Sequence, residues 1–62
     1  VIFTVKRIQG GWEIHDENSK EKISVMDGAV ISYTNEPNGT GIYETVSEKT
    51  KPEALIKAWK GQ

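Results

Sequence analysis

The one histidine, His15, stands among Glu13, Asp16 and Glu17, and these side chains could in principle hold a hard metal ion or move a proton. Either task needs groups that converge on one point. Neighbours in an extended chain point alternately to opposite sides, so the expectation for this stretch is a solvated polar loop. A serine nucleophile would have to recruit the same His15, and none of Ser24, Ser32 and Ser47 lies in a nucleophile elbow. The six glycines form no phosphate-cradling loop between a strand and a helix and are expected in turns. Cysteine is absent, which excludes disulfides and thiolate metal sites. No enzyme activity, metal or cofactor is expected.

Binding is the chemistry left. Tyr33 and Tyr43 stand at equal distances from Asn38 in a turn-rich stretch, so as cross-strand partners they would form an aromatic patch on one face of the last hairpin, a candidate protein-binding face. Trp12 and Trp59 are expected mainly in the core, where each ring covers on the order of 200 Å². Lys6 and Arg7, with Lys49, Lys51, Lys57 and Lys60, are candidates for a basic rim that would contact nucleic acid. The net charge of −1 conceals a basic tail, with four Lys against two Glu over residues 47–62. That excess is far below the dense clusters that drive binding to phosphate backbones, and lysines in the last turn of a helix have a local role against its dipole.

These side chains must be carried by strands. Among the hydrophobic residues twelve are Val or Ile and one is Leu, a balance suited to pleated sheet. Val1 to Ile8 and Trp12 to Ile14 alternate with period two around Gln9-Gly10-Gly11, which predicts a first hairpin with Phe3, Val5, Trp12 and Ile14 inward. His15 to Lys22 reads as an exposed turn or longer loop, followed by a strand over about Ile23 to Met26. Asp27-Gly28 is compatible with a two-residue hairpin turn and equally with a bulge in one long strand. Ala29 to Thr34 and Ile42 to Val46 form a last hairpin around Asn35 to Gly41, where Pro37 suits a type I turn. Thr50-Lys51-Pro52-Glu53 matches a capping box opening a helix of about ten residues, with Leu55 and Trp59 on its buried side and Gly61 as a stop.

The Gly11-Trp12-Glu13-Ile14 hairpin, with Thr50-Lys51-Pro52-Glu53-Ala54 opening a later helix, resembles the three-stranded-sheet-plus-helix domains at the N-termini of tyrosine recombinases, whose sheet enters the DNA major groove. The chain departs from that pattern in the strand or two between Asp27 and Val46 and in lacking a run of Arg and Lys on the sheet. No family is therefore assigned.

The chain is expected to be one α+β domain over residues 1–62: an antiparallel sheet of four or five strands, a meander with the option of curling into a small open barrel, and one short C-terminal helix. The core should contain Phe3, Val5, Trp12, Ile14, Ile23, Val25, Ile31, Val46, Leu55 and Trp59. A core this small, with open sheet edges, is relieved by pairing with another chain. The leading expectation is thus a non-catalytic interaction module that binds another protein, or its own copy, through the last hairpin face or a sheet edge. The alternative is a nucleic-acid-binding module using Lys6, Arg7 and the basic helix. Apolar runs are too short to span a bilayer and no signal peptide is read, so the expected location is cytoplasmic.

Overall fold

The computed structural model describes residues 2–34 and 39–61. Period-two alternation becomes a three-stranded antiparallel sheet of β1 (Phe3–Ile8), β2 (Gly11–Asp16) and β3 (Glu21–Met26), with β2 in the centre. Val5, Ile14 and Ile23 lie opposite one another on the inner face, as do Arg7, Trp12 and Val25 in the next row. Ile8 lies opposite Gly11, so the first hairpin closes on Gln9-Gly10, with Gly10 at a φ of 77° that favours glycine.

The segment expected as an exposed turn or longer loop is half strand. His15 pairs with Lys22 and Asp16 with Glu21, which confines the second turn to Glu17–Lys20. Polar residues sit in these strands for two reasons. His15 and Lys22 lie on the outer, solvated face. Asp16 lies on the inner face but bonds the turn itself, its Oδ1 accepting the N–H groups of Asn18 at 2.9 Å and Ser19 at 3.2 Å. A short acidic side chain that caps a turn mimics the backbone and so tolerates burial.

Asp27-Gly28 is not a hairpin turn between paired strands, and it does hold a glycine bulge, though not within one long strand from Ile23 to Thr34: Gly28 N–H donates to Val46 O at 2.9 Å and Val46 N–H to Ala29 O at 2.8 Å, so Gly28 and Ala29 together oppose Val46. Asp27-Gly28 also forms a turn in which Ala29 N–H donates to Met26 O at 3.2 Å, with Gly28 at φ 93°, and it carries the chain out of the first sheet. Beyond it, β4 (Val30–Tyr33) and β5 (Ile42–Thr45) form a separate two-stranded antiparallel sheet. The expected single sheet of four or five strands is thus five strands divided between two sheets, three and two, and the sheets do not close into a barrel. The expected turn between β4 and β5 falls partly at residues 35–38, outside the described residues.

The helix α1 (Pro52–Lys60) starts with Pro52 in its first turn and stops at Gly61, whose φ of 72° lets its N–H reach Lys57 O at 2.8 Å. The expected capping box does not form. Lys51 is the N-cap and makes no side-chain cap bond, while the Thr50 hydroxyl accepts the Ser47 N–H at 2.9 Å. Thr50 stands one residue too early, and the Ser47–Thr50 turn uses its oxygen instead.

Ile14, Val46 and Leu55 are the fully buried centre, and Phe3, Val5, Trp12, Ile23, Val25, Ile31, Ile56 and Trp59 pack around them. All ten expected core residues belong to this cluster, with Ile56 added. The Trp59 ring meets Phe3 edge-on at 6.3 Å between centroids, and Trp12 Nε1–H donates to Ser47 O at 2.9 Å, tying the first sheet to the loop before the helix. The Cα trace is only 13 Å thick along its shortest axis, so the core is one side-chain layer deep and the outer sheet faces are left to solvent.

Candidate interaction surfaces

The β4–β5 register decides which residues share a face. Tyr33 lies opposite Ile42 and Ser32 opposite Tyr43, so Tyr33 and Tyr43 point to opposite sides of the hairpin and are not cross-strand partners. The expectation of an aromatic pair placed the turn centre half a residue too late, and a one-residue change in register reverses every side chain. Tyr33 is half-buried on the inner side, where its hydroxyl donates to Glu44 Oε1 at 3.2 Å. Burial, then the bond to Glu44 and the charges of Glu44 and Glu53, push its phenol above the ordinary tyrosine value. It lines a shallow hollow of about 350 Å³ with Glu44, Thr45, Ser47, Lys49, Thr50 and Lys51.

Tyr43 instead belongs to the outer face, 78 % exposed, with Ser32 opposite and the Val30–Thr45 pair beside them. Val30 is 66 % exposed and lies diagonally from Tyr43. Among the described residues of the two strands, this face carries no charge. Val30, Ser32 and Thr45 were not among the sequence candidates, although alternation about the inward Ile31 places Val30 and Ser32 outside.

The basic candidates are dispersed. Arg7 stacks 5.0 Å from the Trp12 ring centroid and forms a two-pronged bond to Asp27 at 2.9 and 2.7 Å, which raises the guanidinium's affinity for its proton and lowers that of Asp27. Lys60 lies 4.6 Å from the Trp59 ring centroid, 2.7 Å from Glu21 and 3.7 Å from Asp16, at the other end of the first sheet. Lys6 is on the outer face opposite Glu13. Lys49 and Lys51 meet at the hollow beside Glu44, and Lys57 is half-buried on α1. The six cations therefore do not form one rim.

His15 Nε2 and Glu13 Oε1 are 2.8 Å apart on the outer face of the first sheet, whereas Asp16 faces inward, so alternation splits the acidic group around His15. Among the described residues no group of three metal-ligating side chains occurs.

Among the described residues four carboxylates are held below their ordinary range. For Glu13 the bond to His15 is the main cause; for Glu21 it is the bond to Lys60, and for Asp27 the bond to Arg7. At Asp16 burial is the largest single influence and acts upward, but the N–H groups of Ser19 and Asn18, the Ser19 side chain and the Lys60 charge together outweigh it. Groups with depressed values stabilise the fold above the unfolded carboxylate range and lose that contribution as pH falls through their folded values. The urea midpoint should therefore stay level from pH 7 to about 5 and fall below about pH 4. Asp16→Asn should make that decline shallower, as pH-resolved urea melts would read directly.

No protein-family model, curated protein or solved structure matches the chain. Among the described residues no helix is long and apolar enough to cross a membrane.

Proposed function

We propose that this chain is a non-catalytic, cytoplasmic interaction module whose contact face is the outer side of the β4–β5 hairpin. The observation that carries the reading is the exposure of Val30 and Tyr43 side by side on an uncharged, uncovered sheet face. A tyrosine there offers a large rigid contact with two side-chain torsions to fix, and burying it beneath a partner is worth roughly 1.5–3 kcal/mol by area. The nucleic-acid alternative draws on Lys49 and Lys51 beside Tyr33. It is weakened by Glu44 in the same hollow and by Arg7 and Lys60 being engaged with carboxylates.

A photoreactive amino acid placed at Tyr43, against the same group at Ser24 on the polar face of the first sheet, tests the reading. Protein crosslinks, to the chain itself or to another protein, should form from position 43 well in excess of position 24. Equal yields from the two positions would overturn it, and affinity for DNA or RNA that falls steeply with salt would support the alternative.

A further inference from the structure

We infer that the partner is a second copy of this chain, joined edge to edge through β4 so that two hairpins form one four-stranded sheet; this rests on the interaction-module reading above, and places the seam at the β4 edge beside the outer face, which continues across it and stays exposed. The order of the sheets leaves β1, β3, β4 and β5 each with one unpaired side among the described residues. Proteins protect such edges with charge or proline. β1 carries Lys6 and Arg7, β3 carries Glu21 and Lys22, and β5 carries Glu44. β4, Val-Ile-Ser-Tyr, carries neither charge nor proline, and its neighbours Ala29 and Thr34 extend the uncharged stretch.

The backbone supplies the bonding groups. Val46 N–H donates to Ala29 O at 2.8 Å and Val46 O accepts the Gly28 N–H at 2.9 Å, so Val46 is a hydrogen-bonded position of the ladder, closed by the Gly28–Ala29 bulge. Strict alternation then assigns Ile31–Glu44 and Tyr33–Ile42 to the bonded class. The N–H and C=O groups of Val30 and Ser32 therefore point to the free side of β4, and both residues are exposed.

Two copies related by a two-fold axis can satisfy these groups only in registers that place outward residues opposite outward residues. The most compact sets Val30 opposite Ser32 of the second copy, and Ser32 opposite Val30 of the second copy. Each such pair exchanges two N–H···O bonds, with Ile31 on the axis. No like charges meet in that arrangement, and the outer-face rows continue as Tyr43, Ser32, then Val30 and Thr45 of the second copy. The corresponding pairing of β5 with itself would set Glu44 directly opposite its own copy, about 5 Å away, which is repulsive. Charge thus selects β4. A two-stranded sheet is also marginal by itself, and the pairing doubles it.

The test combines sedimentation with amide hydrogen exchange across a concentration series. A reversible dimer is expected, with the amides of Val30 and Ser32 gaining protection as concentration rises, while those of Ile31 and Tyr33, already bonded within the hairpin, change little. Ser32→Pro removes one outward N–H, and Ser32→Lys places a charge on the edge; each should weaken dimerisation at least tenfold, while Thr45→Lys on the far strand should not. Circular dichroism establishes that the variants remain folded. Protection gained at Tyr43 and Thr45 instead, or a dimer indifferent to both Ser32 variants, would overturn the assigned edge. A monomer at millimolar concentration would overturn the second copy as partner, and crosslinking from position 43 to a different protein would then show the module reading surviving without it.

Discussion

Leu55→Ala should remove half or more of the protein's stability at 25 °C. Leu55 is 1 % exposed and is the one helix residue in the fully buried centre, against Ile14 and Val46. Truncating a leucine in such a site costs about 3–5 kcal/mol, because the lost contacts are compounded by the cavity left behind. A chain of this length has roughly 3–9 kcal/mol of stability in total. The cavity can be closed from few directions when the core is a single layer. The helix would detach, since a nine-residue helix does not persist in water without its docked face. Urea titration followed by circular dichroism and tryptophan emission should show the midpoint lowered to about half its parent value or less. Leu55→Ile, which conserves volume, should lose less than about 1.5 kcal/mol. A Leu55→Ala variant within about 1 kcal/mol of the parent would contradict the core as described.

Gly11→Ala should be the other severe substitution, for a reason unconnected with turns. Gly11 lies within a strand, opposite Met26, and a Cβ there would stand 2.7 Å from Val25 O, 2.8 Å from Met26 Sδ and 3.0 Å from Met26 Cα. The methionine sulfur can swing aside, but the backbone of β3 cannot yield without parting the β2–β3 ladder at that end. A loss of about 1–3 kcal/mol is expected, by analogy with overpacked cores. Two further variants separate backbone crowding from side-chain crowding. Adding Met26→Ala to Gly11→Ala should restore little of the stability, because the clash with Val25 O remains. Gly28→Ala, at φ 93° with open space around the added carbon, should lose only the roughly 1 kcal/mol of its strained conformation. Full rescue by Met26→Ala would show the backbone contact to be of no consequence.

From sequence Gly11 reads as a turn residue along with Gly10, but it lies within β2. Gly10 has the positive φ that turn chemistry predicts, whereas Gly11 is required by the close approach of another strand, which leaves no local mark. The same division runs through the candidate surfaces. Tyr43 was identified as a contact residue from alternation around a turn, but its supposed companion Tyr33 is inside, and Val30 and Ser32 take that place. The cations were visible as letters, yet the carboxylates that engage Arg7 and Lys60 come from residues 20 and 39 positions away in the chain.

Local codes in the sequence determined the strand-rich α+β class, four or five strands and a terminal helix, the inward set of ten core residues and the Gly61 stop. Each depends on periodicity or backbone preference over a few neighbouring residues. Only the tertiary structure decided the division into sheets of three and two strands, the half-residue in register that separates Tyr33 from Tyr43, the use of Thr50 in a turn rather than a cap, and the uncharged open edge of β4. Those depend on which distant segments approach and on how the backbone bonds alternate between them, and a pattern of period two reads the same on either face until a partner strand fixes its register.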